Sequence, residues 1–174
     1  SDEKPVWQGI LLVNPAGGKK EARYVIEGVA FKMPSGSQHA MPGVASLTVD
    51  FDRGDNLGRR QYGLSAGTYH FTPTQEGWEL YEQSFEVLVD NRANAQAFHY
   101  IVQNERAVVG PGQTASHTSK YPIVIRFDRG NGVAVKQVKV DAKTVKVAIS
   151  GSDHFWDLFP AGGEGKKTEI IAAF

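Results

Sequence analysis

Asp50, Asp52 and Asp55, with Asn56, crowd around one glycine in the run Asp-Phe-Asp-Arg-Gly-Asp-Asn. A hard cation such as Ca2+ takes several oxygen ligands from one short loop, and carboxylates at i, i+2 and i+5 could supply three of them. The spacing is not that of an EF-hand loop. A later stretch puts Arg126, Asp128 and Asn131 in the same places and would hold a cation poorly. Without a metal, the run is a tight turn in which Asp52 and Asp128 accept backbone N–H bonds, and the turn is the expectation. A metal-dependent hydrolase would require this loop to hold an ion that lowers the pKa of water.

The second set of residues is aromatic with an acid alongside. Trp78-Glu79-Leu80-Tyr81 is answered by Trp156-Asp157-Leu158-Phe159. Indole faces stack on the apolar faces of sugar rings, and Glu79 or Asp157 could accept hydroxyl hydrogen bonds. Trp78, Glu79, Tyr81, Trp156, Asp157 and Phe159 are therefore the candidate ligand-binding residues. The plainer account is that one aromatic of each pair, at i and i+3 in a bend, plugs the end of a sandwich.

Five histidines are scattered, and His39 and His117 fall in roughly equivalent loops. Zinc needs three or four converging ligands, and neither His-x-His nor His-Glu-x-x-His occurs, so solvated loop histidines are expected. There is no Gly-x-Ser-x-Gly, and Gly17-Gly18-Lys19-Lys20 lacks the first glycine and the terminal Ser/Thr of a phosphate loop. Paired carboxylates such as Glu79 and Glu82 are too generic to indicate a glycosidase. No catalytic constellation emerges, and the chain is read as not an enzyme.

The elements that position these residues are organised by a repeat. Phe51-Asp52-Arg53-Gly54 recurs as Phe127-Asp128-Arg129-Gly130, a spacing of 76, at which Tyr24 falls on Tyr100, Gln61 on Gln137 and Thr68 on Thr144. Upstream, Leu12-Val13-Asn14 lies over Leu88-Val89-Asp90, and downstream the tryptophans match after a two-residue slip. Ala45 to Phe51 alternates apolar and polar, as a half-buried strand does. Phe85 to Val89, Pro122 to Phe127, Val133 to Val140 and Thr144 to Ile149 are short β-branched runs, and most of the glycines and prolines stand between such runs. Lys19 to Phe31 and Ala93 to Val108 carry enough alanine, glutamate and glutamine for helix. Alternation of Phe98, Tyr100 and Val102, and Gly28 in the first copy, assign them to strand instead.

The fold class is all-β: two antiparallel β-sandwich modules repeated at a period of 76, residues 1–90 and 91–174, each of five to seven strands. Fusion into one pseudo-twofold sandwich is the alternative. Phe85 to Asp90 ends the first copy and also aligns with Gly9 to Asn14, which begins it.

Nineteen basic residues balance nineteen acidic ones, so no net field gathers nucleic acid or an anionic membrane. The absence of cysteine removes disulfides and thiolate metal sites. No apolar run is long enough for a membrane span or a signal core, so no membrane insertion is expected, and the polar start Ser1-Asp2-Glu3-Lys4-Pro5 suits a trimmed leader or an appended tag equally.

Leu64-Ser65-Ala66-Gly67-Thr68-Tyr69, then Gly77-Trp78, then Phe85 to Val89, resembles the prealbumin-like modules of carboxypeptidase regulatory domains and adhesin B-type repeats, over about 25 residues. Asp141 to Val145 of the second copy lacks the glycine and tyrosine. The resemblance implies an extracytoplasmic, non-catalytic β module used for adhesion, spacing or sugar contact, without functional residues to carry over. The expectation is a binding or structural module of a secreted or cell-surface assembly, with a protein or polysaccharide partner. It needs no cofactor, Ca2+ aside, and sheet edges are open to self-association. Carbohydrate binding through Trp78 and Trp156 is the alternative.

Overall fold

The computed structural model describes residues 8–18, 20–130, 132 and 135–171. The polar start and parts of the expected strands over Val133 to Val140 and Ile170 to Phe174 lie outside the described residues. Among those described, the chain is all-β, with sixteen strands and no helix.

The strands form two compact units, which part at Ser84/Phe85; residues 167–171 belong with the first. The first unit contains β1 (Ile10–Asn14), β2 (Ala22–Ile26), β3 (Val29–Met33), β4 (Ser37–Met41), β5 (Ser46–Asp52), β6 (Arg59–Ser65), β7 (Gly67–Thr74) and the first half of β8 (Gly77–Asp90). One sheet pairs β4 with β1, β1 in parallel with β7, and β7 with β8; the other runs β3-β2-β5-β6. Residues alternate along each strand, so one side of each sheet faces the other sheet. Ile10 and Leu12 of β1, Tyr69 and Phe71 of β7, and Leu80 of β8 meet Tyr24, Val49, Phe51 and Leu64 in one core. Burying each such side chain contributes about 1.5–3 kcal/mol.

The second unit starts with the second half of β8 and continues through β9 (Phe98–Val102), β10 (Glu105–Val109), β11 (Thr114–Ser119), β12 (Ile123–Asp128), β13 (Val135–Val140), β14 (Ala142–Ile149) and β15 (Trp156–Glu164); β16 (Lys166–Ile170) follows. Its pairings repeat those of the first. β8 pairs antiparallel with β11 and parallel with β14, as β1 does with β4 and β7, and the second sheet runs β10-β9-β12-β13. Its core collects Val87, Val89, Phe98, Tyr100, Ile125, Phe127, Val145 and Val147.

The division therefore falls at residue 84 rather than 90. Phe85 to Asp90 opens the second unit because its hydrogen bonds go to β11 and β14, the pattern of a first strand. Among the described residues the first unit has eight strands and most of β16, and the second has eight, rather than five to seven, partly because the stretches expected as single strands, Lys19 to Phe31 and Ala93 to Val108, hold hairpins. Their turns put Glu27 and Gly28 at φ 48° and 77°, and Gln103 and Asn104 at 48° and 66°, as a two-residue hairpin with φ > 0 at both positions demands.

A buried asparagine ties down the first strand of each unit. Asn14 Nδ2 donates to Lys20 O (3.1 Å) and Met33 O (2.9 Å). Asn91 Nδ2 donates to Gln96 O (2.8 Å), Val109 O (3.2 Å) and Gly110 O (3.0 Å). Asn91 is thus the partner of Asn14, a spacing of 77, and Asp90 lies one residue short of that role.

Candidate functional site

The Phe-Asp-Arg-Gly turn and the tryptophan beyond it form one contact in each unit. Trp78 N donates to Arg53 O (2.9 Å), and Arg53 Nε donates to Trp78 O (3.3 Å). Trp156 N donates to Arg129 O (2.7 Å), and Arg129 Nε to Trp156 O (3.0 Å). Asp52 and Asp128 each accept the N–H of the glycine two residues on, Gly54 and Gly130, at 2.8 Å. Those glycines have φ of +82° and +124°, which other residues adopt only with strain. Gly77 meets a different limit: a Cβ there would lie 2.4 Å from Arg53 O, the carbonyl that accepts the backbone N–H of Trp78. The residues of the repeat most legible in the sequence thus build a turn and a clamp.

Of the three aspartates that could have ligated a cation, two are already engaged. Asp50 Oδ1 receives Arg59 Nε at 2.5 Å, Asp52 caps Gly54, and Asp55 is exposed at φ 49°. No three acidic or histidine side chains are grouped to hold a metal ion among the described residues. The geometry at Asp52 is that of the turn.

The acids beside the tryptophans are occupied too. Glu79 accepts from Arg60 Nη1 (2.5 Å), Tyr62 OH (2.8 Å) and Leu80 N (2.9 Å). Asp157 accepts from Lys136 Nζ (2.9 and 3.0 Å), Arg129 Nη2 (3.3 Å) and Leu158 N (2.8 Å). Trp78 is 9% exposed and belongs to the core, Trp156 is half-buried against its own core, Tyr81 is half-buried, and Phe159 is exposed. The motif lies on a strand and not in a bend, and on a strand positions i and i+3 point to opposite faces. Trp78 and Tyr81 therefore cannot form one stacking platform, and the same holds for Trp156 and Phe159.

His39 and His117 do form equivalent sites, but on strands β4 and β11 rather than in loops. Tyr24 OH and His39 Nδ1 are hydrogen-bonded at 2.7 Å, and Tyr100 OH and His117 Nε2 at 2.5 Å. His39 stands opposite Leu12 and His117 opposite Val87, two places apart along otherwise matching strands, and one ring meets the hydroxyl with its near nitrogen and the other with its far one. Burial pushes both tyrosines up to about 12 and both histidines below their usual value. At neutral pH each pair is an uncharged phenol on an uncharged imidazole, a polar tie inside a sandwich rather than an acid and base facing substrate.

A broader feature is a concavity of about 630 Å3 on the outer face of the β10-β9-β12-β13 sheet. Ile101 forms its middle, with Arg106 opposite on β10 and Arg126 opposite on β12. Val135 lies opposite Asp128 at its far side. No side chain there joins a nucleophile to a base. Sequence reasoning missed this face because its residues are distributed over four strands and form no motif. A smaller concavity of about 370 Å3 in the first unit has Trp78, Arg53, Asp55 and Thr74 in its wall. In comparison with known proteins, the chain matches no family model and no curated relative.

Proposed function

We propose that the chain is a non-catalytic binding or structural module of a secreted or cell-surface assembly. The observation that carries this reading is the fate of the reactive side chains. Most acids and histidines of the candidate motifs are spent on their own framework: Asp52 and Asp128 on turns, Glu79 and Asp157 on cations and a backbone N–H, His39 and His117 on core tyrosines. What the second unit offers to solvent instead is a shallow sheet face with arginine and aliphatic side chains, a surface suited to recognition. The test is a panel of ester, glycoside, peptide and phosphate substrates run beside immobilised polysaccharides and surface-protein extracts fractionated to single components. Saturable binding without turnover is expected. Turnover abolished by one substitution would overturn the reading.

Carbohydrate binding is the second reading, favoured by the polar concavity beside Trp78. A glycan that binds there changes Trp78 emission, and Asp55→Ala weakens it. Binding that neither perturbs Trp78 nor responds to Asp55→Ala would remove this reading.

A further inference from the structure

The two units place the same kinds of strand in the same registers, so corresponding positions on their outer sheet faces can be compared directly. In the first unit Val25 of β2 is flanked by Ala30 on β3 and Asp50 on β5. Asp50 is held by Arg59 of β6, so that carboxylate has its cation on the same face. In the second unit Ile101 of β9 takes the place of Val25, and it is flanked by Arg106 and Arg126. Arg126 thus stands where the other face has Asp50, and Val135 where it has Arg59. Val108, 56% exposed, replaces Lys32, and Val135 is 68% exposed.

The exchange removes the internal partner and leaves two like charges. Strands lie about 4.8 Å apart, so the two arginine Cα atoms stand roughly 10 Å apart across Ile101. Neither guanidinium has an ion-pair or hydrogen-bond partner among the described residues. The carboxylate of Asp128 on the same face caps its own turn at Gly130. Nothing in the sandwich requires the pair, since the other unit folds with alanine and aspartate in those places.

We propose that the outer face of β10-β9-β12-β13 is a docking surface for a polypeptide segment that carries carboxylate side chains among aliphatic ones. Two unpaired guanidiniums can each take a carboxylate in a bidentate fork, which favours Asp or Glu on the partner. Ile101 between them, with Val108 and Val135 further out, presents aliphatic surface beside His99, while the Tyr100 and Phe127 in the wall are buried and offer no ring face on which a sugar stacks; apolar side chains of a peptide fit it better. Arginine with few other charges is also the composition of protein interfaces. This inference rests on the binding reading above and narrows it to one surface and one partner chemistry.

The test is fluorescence anisotropy of the full chain with a labelled peptide of alternating Glu and Val, with alternating Lys and Val, with alternating Glu and Ser, and with polygalacturonate as competitor. Saturable binding of the Glu-Val peptide alone, weakened by salt, is expected. Arg126→Asp, which installs the residue found in the other unit, weakens it at least tenfold, and so does Arg106→Gln, both with unchanged melting temperature. Should Arg126→Asp fail to fold, Arg126→Gln carries the same expectation. Glu-Val binding that is undiminished in these variants overturns the assignment to this face and leaves the binding reading standing. Polygalacturonate binding lost in the same variants, without peptide binding, replaces the partner by an acidic polysaccharide. No binding of any probe overturns the inference, whereas the binding reading falls only if turnover is found.

Discussion

Replacing Asn91 by leucine measures the contact that fixes the first strand of the second unit. Asn91 is fully buried, and its Nδ2 serves the carbonyls of Gln96, Val109 and Gly110, while its Oδ1 receives Asn94 Nδ2 at 2.8 Å. Leucine fills a similar volume but donates nothing. Each lost hydrogen bond costs about 1 kcal/mol net, and a buried carbonyl left without a donor costs a further 1–3 kcal/mol, so roughly 3–4 kcal/mol is expected once Gly110 relaxes towards water. For a unit of this size the urea m-value is about 1–1.5 kcal/mol/M, which moves the midpoint of that unit down by roughly 2–4 M. Circular dichroism against urea reads it. The control is Asp90→Asn, because Asp90 is the residue over which Asn14 lies in a simple spacing of 76. Its partner Arg92 is largely exposed, so the change should cost below about 1 kcal/mol. A shift under about 0.5 M for Asn91→Leu, or a larger shift for Asp90→Asn, would refute the assignment of the tie to Asn91.

Thr68 is fully buried on β7, and its hydroxyl has no hydrogen-bond partner among the described residues. Thr68→Val keeps the shape and removes the unpaired group, so it should stabilise the first unit by about 1 kcal/mol in urea denaturation. A destabilised variant would mean that the hydroxyl has a partner after all. The two Tyr–His pairs predict a pH dependence. Their histidines have folded values below the unfolded one, so the unfolded chain binds more protons in the interval between. Their contribution is whole above the unfolded value near 6.5, falls as the pH drops below it, and levels off beneath the folded value. Melting temperatures between pH 7.5 and 5.5 should fall more steeply in the native chain than in the His39→Gln, His117→Gln double variant, and equal slopes would contradict this.

Much of the β architecture was legible because apolar alternation reports the buried side of a strand. Ala45 to Phe51 became β5, Thr144 to Ile149 lies within β14, and Phe85 to Val89 lies within β8. β4 and β11 were not legible. Their sequences, Ser-Gln-His-Ala-Met and Thr-Ala-Ser-His-Thr-Ser, have no apolar period because the side chain turned towards the core at the centre of each is a histidine satisfied by a tyrosine. The hairpin turn at Gln103-Asn104 was hidden because it uses φ > 0 without glycine. The aromatic motifs were legible as motifs but not as geometry: reading a bend into Trp78 to Tyr81 joined side chains that a strand separates. The arginine face left no local trace, since Arg106 and Arg126 are brought to either side of Ile101 only by strand pairing.

Positions alike in the two units and positions that differ answer to different demands. Arg53 and Arg129 hold a tryptophan backbone, Asp52 and Asp128 close a turn, and Tyr24 and Tyr100 hold a histidine; change one, and the sandwich loses a contact it has no other way to make. Positions 50 and 126, or 59 and 135, face solvent, where the sandwich imposes little and substitutions usually move stability by less than about 0.5 kcal/mol. An aspartate paired with arginine on one face and an arginine beside a bare valine on the other are both compatible with folding. Folding therefore does not account for the difference. The contacts that recur explain how each unit holds together, and the face on which they diverge is where a demand from outside the sandwich would register.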